Sequence, residues 1–532
     1  MTIETTDAAA FAQRVRANQQ ALAAGLTRSY DFIVCGSGSS GSVVARRLAE
    51  DLNVRVLLLE AGGSDDTASV AEASAWRSNL GSERDWDYRT EPQAGATGRR
   101  LPMNMGKVLG GGSSINAMYW VRGHQSDWDH FAEETADPGW NHESVRQIYR
   151  RVEDWSGEPD PSYRGSGGLA FVAPVRLQPV GHALCESAEE AGIARFGSLN
   201  GAMTETAEGC APSEFRIREG RRLSIFRSYL YPCMDQPNLT VLTQARVLRI
   251  NLDGRRAVGV RVAVNGSVLD IAAGHEVVLS LGAVHTPQVL MLSGIGDEAE
   301  LRRVGLDVRQ HLPGVGRNFQ DHCNFTGSEW EMRAPMEVSG VAQAMMFWRS
   351  RDELDNPDIQ IFQLLNYRAS VTQLPSQQNF MTLMQVLVRP KSRGYLRLTG
   401  AGPLDPVAIH ANVLEHPDDA KALVSAMKFC RSLGASRAFA PFLRRESLLR
   451  GVADSALTET LRGCASTIWH QSCTARMGRD AMSVVDGTLR VTGFDNLRIA
   501  DASVMPRITS GNTMAPCVVI GERCAALIKA AN

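Results

Sequence analysis

The chain carries almost no net charge: 56 Lys and Arg stand against 58 Asp and Glu, for a formal −2. That balance argues against nucleic acid or an acidic membrane surface as the main partner. No apolar run approaches the roughly 18 residues of a spanning helix, so no membrane segment is expected. The ten cysteines are scattered. None forms a C-x-x-C pair and none clusters with histidine, which predicts buried thiols, no disulfides and no metal. The N-terminus lacks a signal-peptide layout, because Glu4 and Asp7 come early and polar residues interrupt its apolar ones. Residues 1–28 are therefore expected to form an amphipathic helical extension, and the protein to be cytoplasmic.

What the chain has is length and glycine. Its 532 residues, 48 of them Gly, exceed the roughly 250–300 at which one core stops growing, so two lobes are expected. "YDFIVCGSGSSGSVVARRLAEDLNVRVLLLEAGG", residues 30–63, reads as strand, glycine turn, helix and second buried strand. Gly36, Gly38 and Gly41 have the GxGxxG spacing, which allows a tight turn and close approach of a pyrophosphate to a helix N-terminus. Glu60 closes the second strand where a carboxylate can accept from ribose hydroxyls. It would also repel a 2′-phosphate. Strand, turn, helix and acid agree on an adenine dinucleotide site, and do not by themselves separate FAD from NAD.

Further turn-rich segments follow. "MNMGKVLGGGSSINAMYWVRG" (103–123) lets backbone lie against a flat or anionic ligand at Gly110, Gly111 and Gly112. "EVVLSLGAVHTPQVLMLSGIG" (276–296) reads as a strand running into a helix, and "LPGVGRNFQDH" (312–322) as a turn. "STIWHQSCTARMG" (466–478) holds His470. An isolated histidine beside a tryptophan reads first as packed core. His322, in its turn, reads as structural.

Taken together, these motifs resemble the glucose–methanol–choline (GMC) flavin oxidoreductases. The resemblance runs from Tyr30 to Ile528 and includes "RPKSRGYLRL" (389–398) and "IADASVMPRITSGNTMAP". It implies FAD, on a Rossmann-like FAD-binding domain joined to a substrate domain of antiparallel sheet backed by helices. By the same resemblance Ser39, Ser40, Glu60 and Ala61 meet diphosphate and ribose, and Val247 meets adenine. Asn116, Ala117, Met118 and Tyr119 run beside the flavin, and Val108, Gly112 and Trp469 are further cofactor-binding residues. Asp501 and Ala502 meet the ribityl chain and diphosphate, and Thr513 and Met514 lie near the ring. Ile115 stands where some members attach FAD through a His, so the cofactor is expected to be non-covalent. Gln471 replaces a frequent Pro, and Met514 a frequent Asn.

The resemblance also turns His470 into the expected catalytic base, with Asn512 as its partner. A neutral imidazole near its ordinary pKa can take the hydroxyl proton at neutral pH, and an amide donor can hold the developing alkoxide. The implied activity is oxidation of a primary alcohol, aromatic ones included, with oxygen or another acceptor reoxidising the flavin. A hydroxynitrile lyase on the same fold, or a choline-type dehydrogenase, is the alternative. The FAD lobe is expected over 29–158, 206–319 and 471–532, and the substrate lobe over 159–205 and 320–470, in a monomer or homodimer. Phe347, Trp348, Phe362, Gln363, Tyr367 and Trp469 are candidate substrate-pocket residues.

Overall fold

The computed structural model describes residues 3–335, 342–365 and 379–531. Tyr367 lies outside them. The strand Ser29–Cys35 is central to a seven-stranded sheet among the described residues. Val56–Leu59 and then Leu239–Leu242 pair parallel on one side, and Ser267–Leu279 on the other. Val56–Leu59 is buried throughout, as a strand covered on both faces must be, which is why its sequence does not alternate. Ser267–Leu279 serves two ladders. Its first half pairs antiparallel with Arg256–Val264, and its end runs parallel to Leu497–Ile499.

Helix Ser39–Ala49 packs on this sheet and against the closing helix Met514–Ala531. The approach is close because Gly521 lacks a side chain: a Cβ there would stand 2.8 Å from the Ser40 carbonyl oxygen. The expected N-terminal helix spans Ile3–Ala24. Asn18 and Gln19 dock it by donating to the carbonyls of Met234, Gln236 and Leu239, which covers the open edge beside Leu239–Leu242.

The second sheet is antiparallel, with eight strands among the described residues. Phe380–Leu387 lies at its middle, paired with Ile359–Leu365, Glu329–Met332 and Cys323–Phe325. Helices Pro179–Glu190, Pro417–Gly434 and Leu457–Cys464 contribute to the apolar core behind it. Residues from 206 onward are expected in the FAD lobe, yet strand Gly209–Pro212 pairs with Ala344–Trp348 and extends this second sheet. That pairing is long-range, and a four-residue strand has no local signal that names its partner.

Candidate active site

The dinucleotide turn is built by contact as well as by conformation. Gly36 has φ +99°, and a Cβ there would fall 2.3 Å from the Ser280 carbonyl oxygen. A Cβ on Gly41 would lie 1.9 Å from the Gly36 oxygen. Gly38, at the helix N-cap, instead faces open space. The two glycine loops touch, since the Gly110 N–H donates to Ser37 Oγ at 3.1 Å. Glu60 is buried and accepts from Ser37 N (3.1 Å), Ser37 Oγ (2.6 Å) and Gly62 N (2.8 Å). Burial raises its pKa, and these donors oppose the rise. Asp501 accepts from Gly282 N (2.9 Å), Thr286 Oγ1 (2.6 Å) and Ser503 N (2.8 Å).

One continuous cleft runs between the two sheets. Gly36, Gly38, Ser39, Ser40, Glu60, Ala61, Gly112, Asn116, Ala117, Met118, Tyr119, Val247, Trp469, Asp501, Ala502, Thr513 and Met514 line it, together with His470 and Asn512. Gly41 and Val108 do not. Gly41 packs beneath the turn, and Val108 is fully buried in a bridge to Gly63. The cradle fits an extended dinucleotide: side chains at Gly38 and Gly112 would project into open space, and helix Ser39–Ala49 points its positive end there. Trp86 and His285 also line the cleft, their rings 4.2 Å apart and tilted at 55° to one another. Neither carries a sequence signal of its own.

Three segments converge at the His470 end of the cleft. Asp321 Oδ1 accepts from the backbone N–H of both His322 (2.8 Å) and His470 (2.7 Å). The Gln320 and Ser472 backbones bond reciprocally at 3.2 and 3.0 Å, so the two histidines are carried side by side. Their Nδ1 atoms stand 2.9 Å apart. Trp469 and Cys473, at φ +64° and +72°, hold left-handed backbone on either side of the turn, a conformation that only surrounding structure sustains. Asn512 arrives on a third segment. Asp127 anchors it through Ser510 N (2.6 Å) and Ser510 Oγ (3.1 Å), and Gly511 lies where a Cβ would meet Val121 at 2.5 Å.

The hydrogen bonds assign the tautomers. Gln360 Nε2 donates to Asn512 Oδ1 (3.4 Å), which turns the Asn512 amide nitrogen toward His470 Nε2 (3.3 Å). Nε2 then accepts, and the His470 proton sits on Nδ1, donating to His322 Nδ1. His322 carries its own proton on Nε2, which faces the carbonyls of Val388 and Thr509 short of full hydrogen-bond geometry. Burial pushes the His322 pKa down to about 3. Burial, then the neighbouring His322, holds His470 well below the imidazole range, and burial lifts Asp321 to about 7. The expectation of a base near its ordinary pKa is thus corrected, because desolvation dominates. His322 is likewise no mere turn residue but the partner of His470.

The substrate side sorts by strand face. Phe362 lines the cleft, its ring 5.1 Å from Tyr119 and edge-on to it. Gln363, one residue on, faces the opposite way and donates to the Val180 carbonyl at 2.6 Å. Trp348 stacks flat on Phe429 at 4.3 Å, the two half-buried against the core behind the sheet. Phe347 abuts the Gly511 backbone rather than the cleft. Gln363 and Trp348 are therefore removed from the pocket, whereas Phe347 shares the strand face of Phe362 and stands behind the segment that carries Asn512. Asn324, Thr326, Leu364, Met384 and Ile468 line it instead.

The chain is similar to known proteins over most of its length. The GMC oxidoreductase family models match residues 30–324 and 390–521. Choline dehydrogenase, mitochondrial, of Mus musculus is 35% identical over 94% of this chain and 89% of its own. Alcohol dehydrogenase [acceptor] of Pseudomonas putida is 34% identical over 94% and 95%. The crystal structure of pyridoxine 4-oxidase from Mesorbium loti superposes with a TM-score of 0.88 at 30% identity, covering 93% of this chain and 98% of that one.

Proposed function

The chain belongs to the GMC oxidoreductase family, and from that membership we propose that it oxidises a neutral primary alcohol, aromatic ones included, to the aldehyde. FAD, held by the glycine turn, Glu60, Asn116–Tyr119 and Asp501, would supply the acceptor for the hydride. His470 takes the hydroxyl proton at Nε2, where the tautomer leaves a lone pair. Asn512 offers its amide N–H to the developing alkoxide. His322 keeps the His470 proton on Nδ1, and Asp321 fixes both rings by their backbones. Proton removal by a positioned base contributes about 10²–10⁴-fold, and a preorganised donor about 10²–10³-fold. The two act on one oxygen, so their contributions do not simply add.

The observation that carries this reading is the convergence of His470 Nε2 and Asn512 Nδ2, 3.3 Å apart at the wall of the cleft. A neutral alcohol is favoured over a quaternary ammonium because Glu60 and Asp501 are the carboxylates among the described lining residues, and both are committed to backbone and hydroxyl donors at the dinucleotide end. Choline and its neutral isostere 3,3-dimethylbutan-1-ol share a shape and differ in charge. Anaerobic mixing should bleach the flavin band faster with the isostere. Faster bleaching by choline would reverse the substrate class, and cyanide release from a cyanohydrin without bleaching would replace the redox reading by a lyase. Peroxide and dye reduction read in parallel identify the acceptor.

A further inference from the structure

We infer that Asn324 is a specificity-determining residue, which hydrogen-bonds a second, neutral polar group on the alcohol whose hydroxyl faces His470. The inference rests on the alcohol reading above and adds the far end of the substrate to it.

Strand Cys323–Phe325 pairs through Asn324 with Ser466 on one side and Val386 on the other. Side chains alternate along an extended chain. His322 meets His470, and Asn324 and Thr326, two and four residues on, line the cleft. The step from His322 to Asn324 is about 6.6 Å at the rise of a strand. Asn324 is only 4% exposed. Its amide nitrogen donates to Met384 Sδ at 3.4 Å, a weak acceptor. Its carbonyl oxygen is buried and has no partner among the described residues.

A buried acceptor without a partner is costly and uncommon, so this oxygen marks where a ligand donor belongs. The segments that cradle the dinucleotide lie on the other wall, whereas Asn324 belongs to the antiparallel sheet. Around it Phe362, Leu364, Met384 and Ile468 are apolar. The class of substrate that satisfies all of this has a hydroxymethyl group at one end, a flat apolar spacer, and a neutral donor such as a hydroxyl at the other. 4-Hydroxybenzyl alcohol presents these features, and benzyl alcohol lacks only the donor.

The test is single-turnover anaerobic flavin reduction of the FAD-loaded enzyme with these two alcohols. Wild type should prefer 4-hydroxybenzyl alcohol by about tenfold or more, as sites built around a substrate hydroxyl do. Asn324→Leu should bring the ratio close to one, because it slows reduction by 4-hydroxybenzyl alcohol more than reduction by benzyl alcohol. Asn324→Ser, which withdraws the polar atom without adding apolar bulk, should collapse the ratio as well, so the result does not hang on one variant folding. An unchanged ratio in either variant overturns the assignment. An equal loss with both alcohols, or loss of bound FAD from both variants, gives the amide a structural or cofactor role and overturns it too. Equal rates with both alcohols in wild type refute the subsite alone. If neither alcohol bleaches the wild-type flavin, the alcohol reading itself falls.

Discussion

Replacing His322 by leucine isolates the pairing of the two histidines. The variant removes the acceptor 2.9 Å from His470 Nδ1 and leaves that N–H buried with nothing to bond. An unsatisfied buried donor costs about 1–3 kcal/mol. The proton then moves to Nε2, and the nitrogen that should accept from the alcohol is blocked. At about 1.4 kcal/mol per tenfold, flavin reduction should slow by about 5–150-fold. The pH profile should change as well. A base with a depressed pKa stays neutral until the pH falls well below the imidazole range, so the wild-type rate should be flat through neutrality and decline on the acid side. His322 is the second cause of that depression, after burial, so its loss should move the decline to higher pH. His322→Gln, whose side-chain carbonyl can accept, should recover part of the rate. Stopped-flow reduction across pH, with FAD content measured on each variant, reads all of this. A leucine variant with full flavin, the wild-type rate and an unmoved acid limb would refute the tautomer argument, as would a glutamine variant no better than leucine.

Three further outcomes are expected. His470→Ala and Asn512→Ala should each keep FAD and slow reduction, by about 10²–10⁴-fold and 10²–10³-fold, and the double variant should fall short of the product; a multiplicative loss would mean that they serve separate steps. Glu60→Ala should weaken FAD binding more than it slows chemistry, and heat precipitation of the wild type should leave the flavin in solution; equal occupancy, or colour in the pellet, would count against the ribose contact or the non-covalent link respectively. His285 and His322 are held by burial at about 3 against about 6.5 when exposed, so the unfolded chain binds their protons first. The stability they contribute is complete above about 6.5 and is lost as pH falls towards 3. Asp321, raised to about 7, acts in the opposite sense, and its contribution fades as pH rises to that value. Melting temperatures between pH 7 and pH 4 should therefore drop less in His285→Gln than in wild type, and identical drops would contradict the assignment.

Local chemistry made part of this protein legible before its fold was known. A strand, three glycines, a helix and an acid each constrain the backbone over a few residues, so residues 30–63 announced a dinucleotide cradle from their order alone. The ordered motifs likewise pointed, through the family resemblance they carry, to His470 and Asn512, and the structure brings the two side chains within 3.3 Å. Other properties do not reside in any local stretch. His322 meets His470 across 148 residues of chain, and only packing of the two segments through Asp321 brings the rings together. Whether Phe362 or Gln363 faces the cleft depends on a register in which a shift of one residue exchanges the faces, and because Ile359–Leu365 is buried throughout, the partial alternation of its sequence does not say which face meets the cleft. Strand Gly209–Pro212 chose its sheet by a distant partner. The proton affinity of His470 was set by desolvation, which exists only once the lobes close around it, and so it belongs to the tertiary structure alone.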